Sequence, residues 1–431
     1  MRIAMFTNTF APLIGGIEKS VATFAEDLRK LGHEVLIVTL EQGETDHTED
    51  GILRLPALHK AAGGQYAFLL PGAAGLNAAL NEFAPDLIHA HQPFMLGSSA
   101  YRHAVRRGVP LVFTNHTLYE RYADRTFLGE IEALERAARA LAVVFSNRCD
   151  AVIAPTASIA RILKSQGVEP AIEIVPTGID IPKFACGDGT AFRRCYGIPD
   201  DVLLVGHLGR LIPAKRVEFL AEATAEFLKS TPDGYALFCG EGDSIPALSE
   251  HFAATGVEDR LILLGNLPET EIGDAYAAMD LFTFASMTDT QGIVLLEAMA
   301  AGTPVLAIRA TGPEDLVIDG ESGWLLDPET TPAEFAGELQ KLVTGPNLRS
   351  HTAAARARAG EFDRQFCARA LLDVYRKALK RKAAEGEAGD RSESAVESFQ
   401  RRVEAEWQLL AGRAEIIRSL LPTRGFPRLP E

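Results

Sequence analysis

Short apolar runs alternate with longer stretches of three- and four-residue apolar spacing over most of the chain. Residues 3–6 form the first run, residues 17–31 carry an amphipathic helical pattern, and residues 35–40 form the next run. Runs of this kind predict strands, and the 3.6-residue spacing predicts the helix between them. Further strand candidates lie at 87–90, 111–114, 151–154 and 172–175. Strands this apolar, separated by helices, belong to a parallel sheet covered on both faces. The alternation restarts after residue 200, with strand candidates at 202–205, 236–239, 261–264, 281–284 and 305–308 and helices near 217–228, 245–254 and 292–301. The predicted fold class is therefore α/β, with two doubly wound Rossmann-like domains, residues 1–175 and 201–360, facing a central cleft.

The intervening residues 176–200 are rich in Pro, Gly and Asp and predict an interdomain linker. From about Lys380 the composition turns to small and charged residues, a second linker signature. Beyond it, Val396, Phe399, Val403, Trp407, Leu410, Ala414, Ile417 and Leu421 recur at three- and four-residue steps, so 383–431 predicts a linker and an amphipathic helical extension. Its apolar stripe has three partners open to it: the chain's own domain, a second copy in a homodimer, or a membrane surface.

Composition narrows the class. With 47% hydrophobic and 23% charged residues the chain is neither disordered nor wholly membrane-embedded. A net charge of -15 argues against a nucleic-acid partner, whose binders are basic. The five cysteines are scattered and form no C-x-x-C pair, so no disulfide framework or zinc ribbon is expected, and a reducing cytosol fits. The first apolar run is too short for a signal peptide, and no run reaches the roughly 18 residues of a spanning helix. A cytoplasmic protein is the expectation.

Several loops carry residues suited to phosphate and sugar. Gly15-Gly16 precedes a helix, where backbone N–H groups and the helix end favour an anion; a plain turn is the alternative. In the second domain, Gly209-Arg210 and Lys215 sit in a loop between strand and helix, and two cations so placed suit a diphosphate, with solvated surface cations as the alternative. Gly240 and Gly242 follow the next strand and offer backbone approach, or simply a turn. The segment from Ser286 to Val305 is the most informative. Asp289 lies in a loop after a strand, and Glu297, eight residues on, projects from the helix that opens near Gly292. Eight residues is a little over two turns, so both carboxylates can face one side, with the N–H groups of Gly292, Ile293 and Val294 beside them. Carboxylates accept hydrogen bonds, which suits sugar hydroxyls. His89 and His91, two residues apart, suggest metal only weakly because no third ligand is near in sequence; they are read as lining the cleft floor, and no metal or cofactor is expected.

The D-x7-E spacing followed by Ala-Met-Ala-Ala-Gly-Thr-Pro-Val resembles the retaining glycosyltransferases of family 4, of GT-B fold, as do Gly-Arg-Leu-x-x-x-Lys, Val-Pro-Thr-Gly-Ile-Asp and the Gly-Gly loop. The resemblance covers about residues 1–380. The family's usual pattern is E-x7-E, and this chain has Asp289 at the first position. The resemblance implies Arg210 and Lys215 on the donor diphosphate, Glu297 on the ribose, and Asp289 with Thr290, Gln291, Gly292, Ile293 and Val294 around the hexose. It also implies a strand-end His116 beside the donor sugar, no dependence on metal, and a helix over 361–382 crossing back to the first domain.

Asn115 to Asp124 and Thr288 to Gly292 are most similar to the diacylglycerol glucosyltransferase branch, which implies a UDP-glucose type of donor and a lipid acceptor. Tyr119, Tyr122 and Arg125 are then the candidate acceptor-binding residues, and the basic cluster around them suits peripheral contact with the inner face of the cell membrane. The expected activity is retaining transfer of a hexose from a nucleotide sugar to an acceptor hydroxyl in glycolipid synthesis. The alternatives are transfer to saccharide or small-molecule acceptors from GDP-mannose or another donor, sugar-nucleotide epimerisation, and sugar-nucleotide binding without catalysis.

Overall fold

The computed structural model describes residues 1–13, 15–41, 50–61, 66–69, 75–118, 131–345 and 348–389. Tyr119, Tyr122, Arg125 and the apolar stripe that begins at Val396 lie outside the described residues. The chain forms two compact units. The first comprises residues 1–154, 160–173 and 371 onward, and the second comprises 155–159 and 174–370.

Among the described residues the first unit has nine strands: β1 Arg2–Phe6, β2 Glu34–Leu40, β3 Ile52–Leu55, β4 Ala57–Ala61, β5 Tyr66–Leu69, β6 Leu87–Ala90, β7 Leu111–Thr114, β8 Ala151–Ala154 and β9 Ile172–Ile174. Seven of them make one sheet in the order β3-β2-β1-β6-β7-β8-β9, while β4 and β5 form an antiparallel pair. Ile3, Ala4, Met5 and Phe6 of β1 are fully buried, as a central strand covered on both faces requires. Helix Gly16–Lys30 returns the chain to β2. It buries Val21, Phe24, Ala25 and Leu28 and ends on Arg29 and Lys30, cations that favour the negative helix end.

The second unit carries β10 Leu203–Leu208, β11 Gly234–Cys239, β12 Leu261–Leu264, β13 Leu281–Phe284, β14 Val305–Ile308 and β15 Gly323–Leu326. Its sheet runs β12-β11-β10-β13-β14-β15 and is parallel throughout. Two apolar clusters form its core, one including Phe282, Phe284 and Leu296 and the other Phe227, Phe238 and Phe335. The stretch expected to be a linker is part of this core. Helices Ile181–Ala185 and Gly189–Cys195 carry Phe184 and Phe192, which are 3% exposed and packed in the first of those clusters. Asp180 and Asp188 cap the two helices, so the Asp and Pro content that resembles a linker is helix-start chemistry. A second linker, expected from Lys380, is likewise helical: helix Arg364–Gly389 continues through it.

Both sheets reverse their winding direction once, between β1 and β6 in the first unit and between β10 and β13 in the second. At such a reversal, neighbouring loops leave the sheet in opposite directions and open a crevice beyond the strands' C-terminal ends, where α/β proteins bind ligands.

Candidate functional site

In the second unit, the loops after β10 and β13 bring Lys215 and Asp289 together. Lys215 ends a short 3-10 helix, Pro213–Lys215, and its Nζ lies 2.5 Å from Asp289 Oδ1. The hydroxyls of Ser286 and Thr288 both donate to the Ala214 carbonyl at 3.3 Å, which holds the two loops in register. Burial raises the Asp289 pKa, but the Lys215 ammonium, aided by the Arg210 charge, outweighs it and holds the carboxyl below its ordinary value. Asp289 Oδ2, buried, has no partner among the described residues. Arg210 itself is exposed, at the mouth of this loop.

Gly240 and Gly242 pack the next loop against this one. Both have positive φ, +136° and +154°, and a Cβ on either would collide with a backbone carbonyl, of Gly209 and Leu211 respectively. Glycine at these positions therefore serves loop-on-loop packing, which Leu211 N to Glu241 O (2.8 Å) and Ser244 N to Leu211 O (2.9 Å) secure.

The other residues of the Asp289 segment have separate tasks. Gln291 accepts from Thr177 N at 2.9 Å and donates to Thr177 O at 2.8 Å, so its side chain ties the Val-Pro-Thr-Gly turn to the loop. Thr156 Oγ1 donates to Thr290 O at 3.0 Å. Gly292 precedes helix Ile293–Ala301, whose residues from Leu295 to Ala301 are all buried. Glu297 is 1% exposed, and its Oε2 accepts from the buried Tyr276 hydroxyl at 2.9 Å. The eight-residue spacing predicts both carboxylates on one side of the cleft; Asp289 meets Lys215 on the loop, and Glu297 meets Tyr276 inside the unit.

In the first unit, the corresponding position holds imidazoles. His89 lies on β6, His91 immediately after it, and His116 just past β7. His91 Nδ1 is 2.9 Å from His116 Nε2, and their rings stack with centroids 5.2 Å apart. His89 and His91 are both fully buried, so they form the interior of the strand ends and do not line an open floor. His89 bonds Tyr375 Oη at 2.7 Å and Thr114 Oγ1 at 2.8 Å. Burial is the main cause that lowers all three pKa values, to about 3 for His89 and His116 and well below 6.5 for His91, so the cluster is neutral near pH 7. Among the described residues no group of three or more His, Cys, Asp or Glu is placed to hold a metal ion.

Gly15 and Gly16 open the helix after β1, as expected, but a Cβ on Gly15 would collide with the Glu18 carboxylate, which itself occupies the space over the helix end. Sequence reading missed Asn8 and Gln92. Asn8 N donates to Gln92 Oε1 at 2.8 Å, and Asn8 Oδ1 accepts from Leu96 N at 3.1 Å, joining the loops on either side of the first sheet's reversal. Polar residues directly after an apolar strand were the available signal.

Two family models match the chain: Glycosyltransferase Family 4 over residues 14–183 and Glycosyl transferases group 1 over residues 188–358. The alpha-monoglucosyldiacylglycerol synthase of Streptococcus pneumoniae is 28% identical over 359 residues, 82% of this chain and 80% of that protein. A D-inositol 3-phosphate glycosyltransferase of Kineococcus radiotolerans is 30% identical over 429 residues, 89% of this chain and 97% of that protein. Among solved structures, Anabaena HepE in complex with UDP and glucose superposes with a TM-score of 0.70 at 23% identity, covering 87% of this chain and 99% of HepE. That last likeness is one of fold.

Proposed function

The chain belongs to the family 4 and group 1 glycosyltransferases, and from that membership we propose that it transfers glucose from UDP-glucose to a lipid hydroxyl with retention at the anomeric carbon. The observation that carries the donor reading is the Lys215–Asp289 ion pair at the strand-order reversal of the second sheet, with Asp289 Oδ2 buried and unpartnered among the described residues. A diphosphate competes with Asp289 for the Lys215 ammonium, and Arg210 adds a second cation. As the bond from the anomeric carbon to phosphate breaks, negative charge grows on the leaving diphosphate, and these two cations stabilise it most at that moment. The N–H groups of Ile293 and Val294, at the start of their helix, act in the same sense. Asp289 and the backbone of Thr290 to Val294 hold the hexose hydroxyls, and Glu297 takes the ribose. Glu297 then exchanges or shares its Tyr276 partner.

The acceptor oxygen attacks the anomeric carbon on the face the diphosphate leaves, and its proton passes to a departing phosphate oxygen. Chain cations do the electrostatic work, so no metal is required. His116, neutral through burial, can act only as a hydrogen-bonding group. Lipid as acceptor is supported by the likeness to the diacylglycerol enzyme. Among the described residues no helix is long and apolar enough to cross a membrane. The proposed contact with lipid is peripheral, on the cytoplasmic side, and uses Tyr119, Tyr122 and Arg125, whose basic and aromatic character supports it.

The test begins with thermal shift against UDP-glucose and GDP-mannose, where a ligand at a hundredfold excess over Kd stabilises by about 2.7 kcal/mol. The preferred donor is then incubated with diacylglycerol in mixed micelles, and the anomer of the product is read by NMR. An α-glucoside on diacylglycerol is expected. Release of nucleotide with an isomerised sugar in the absence of any acceptor makes the enzyme an epimerase instead.

A further inference from the structure

Among the described residues, a second buried polar atom near the donor site has no partner, His207 Nε2. His207 is next to last in β10, 1% exposed, and directly precedes the Leu208-Gly209 turn that opens the Arg210 loop. Its Nδ1 lies 3.0 Å from the Thr283 carbonyl. A carbonyl only accepts, so Nδ1 must carry the proton, and in a neutral ring Nε2 is then a bare acceptor. Burial lowers the His207 pKa to about 4, so near pH 7 the ring is neutral.

Packing does not account for a histidine here. The ring sits among Phe238, Phe282 and Phe284, with centroids 6.1, 5.9 and 6.4 Å away. A phenylalanine would suit those neighbours but would take its donor from the Thr283 carbonyl; that bond accounts for one nitrogen of the ring, whereas Nε2 stays a desolvated acceptor that an incoming donor group can satisfy. Gly209, whose φ of +150° suits glycine, follows at the strand end, and the position of a Cβ there is 3.7 Å from Nε2, so the turn passes in contact distance of that atom. Both Lys215 and Asp289 are near enough to act on the ring electrostatically.

We propose that His207 reads the donor sugar: its Nε2 accepts a hydrogen bond from one hydroxyl of the hexose held beside Lys215 and Asp289, and so discriminates among nucleotide sugars. The proposal rests on the glycosyl-transfer reading above. His207 is a specificity-determining contact, and the group it takes is an O–H donor, since a phosphate oxygen offers no proton to a bare acceptor.

The experiment compares wild type with His207→Phe and His207→Gln, measuring kcat/KM on UDP-glucose, Kd for UDP alone, and kcat/KM on single-position deoxy analogues of UDP-glucose. His207→Phe is expected to lose at least tenfold in kcat/KM while binding UDP within twofold of wild type. One deoxy analogue should cost wild type about as much as the substitution does, and cost His207→Phe nothing further. His207→Gln, which places an amide near the Nε2 position, should recover part of the loss and decides the matter if the phenylalanine variant does not fold. A folded His207→Phe with wild-type kcat/KM overturns the inference, as does a loss that falls equally on every deoxy analogue, which would mean that Nε2 merely holds a buried water. Wild type that binds no nucleotide sugar at all overturns the glycosyl-transfer reading itself, and this inference with it.

Discussion

Both units gather polar side chains at strand ends at or next to a reversal of strand order, yet the first is uncharged there and the second carries an ion pair. In the first unit the strand ends carry three neutral imidazoles, two of them fully buried, tied to each other, to Thr114 and to Tyr375. In the second they carry an ion pair whose side chains are about one-fifth exposed, 19% for Lys215 and 21% for Asp289. A charge pair with some access to water can exchange a partner for an incoming anion at modest cost, because neither charge is fully desolvated. Buried neutral rings cannot do this, and they instead hold a fixed, uncharged surface. Shared topology thus decides where polar groups gather, and residue type decides whether that place suits phosphate.

Acidification should separate the two units most strongly. In the unfolded chain histidine titrates near 6.5, whereas His89 and His116 take a proton in the fold only near 3. Between those values the unfolded chain binds more protons, so stability falls as pH drops below 6.5. Each such histidine contributes up to about 1.4 kcal/mol per pH unit, or about 4 kcal/mol at pH 5.5 for the three together. The second unit has His207 on β10 against these three in the first, so hydrogen exchange at pH 7 and 5.5 is expected to show β6 and β7 losing more protection than β10 and β13; equal loss would mean that the imidazoles are not what distinguishes the units.

Removing the charge from the second unit comes next. Lys215→Ala should lower kcat/KM on UDP-glucose at least thirtyfold, about 2 kcal/mol of transition-state stabilisation, while far-UV circular dichroism stays unchanged. Wild-type kcat/KM would put the diphosphate elsewhere.

A smaller effect is expected in the first unit from Tyr375→Phe, which deletes the hydroxyl bonded to His89. Urea denaturation should report a loss of about 1–1.5 kcal/mol, with the Kd for UDP unaffected if nucleotide binds only to the second unit.

Asp289→Glu should do least. The longer arm restores the family's usual carboxylate and can still meet Lys215, so kcat/KM is expected to stay within about threefold of wild type, or about 0.7 kcal/mol. Loss of activity in a folded variant would show that the pocket is built around the shorter side chain.

The central strands of both sheets are legible from local pattern because a strand covered on both faces must be apolar along its length. The loop cations and the D-x7-E segment were equally plain, since each is a short run of residues. The strands that escaped, β3, β15 and the β4–β5 pair, are short and lie at sheet edges or apart from the main sheet, where fewer positions are buried and the apolar signal weakens. β10 runs three residues past its expected end, and His207 was hidden for that reason. The partnerships of the site were out of reach in principle. Lys215 and Asp289 are 74 residues apart, His91 and His116 are 25 apart, and His89 and Tyr375 are 286 apart. Periodicity along the chain reports which face of an element is buried, a property summed over many residues. A hydrogen bond depends on two atoms arriving within about 3 Å in the right orientation, and only the path of the whole chain brings them there.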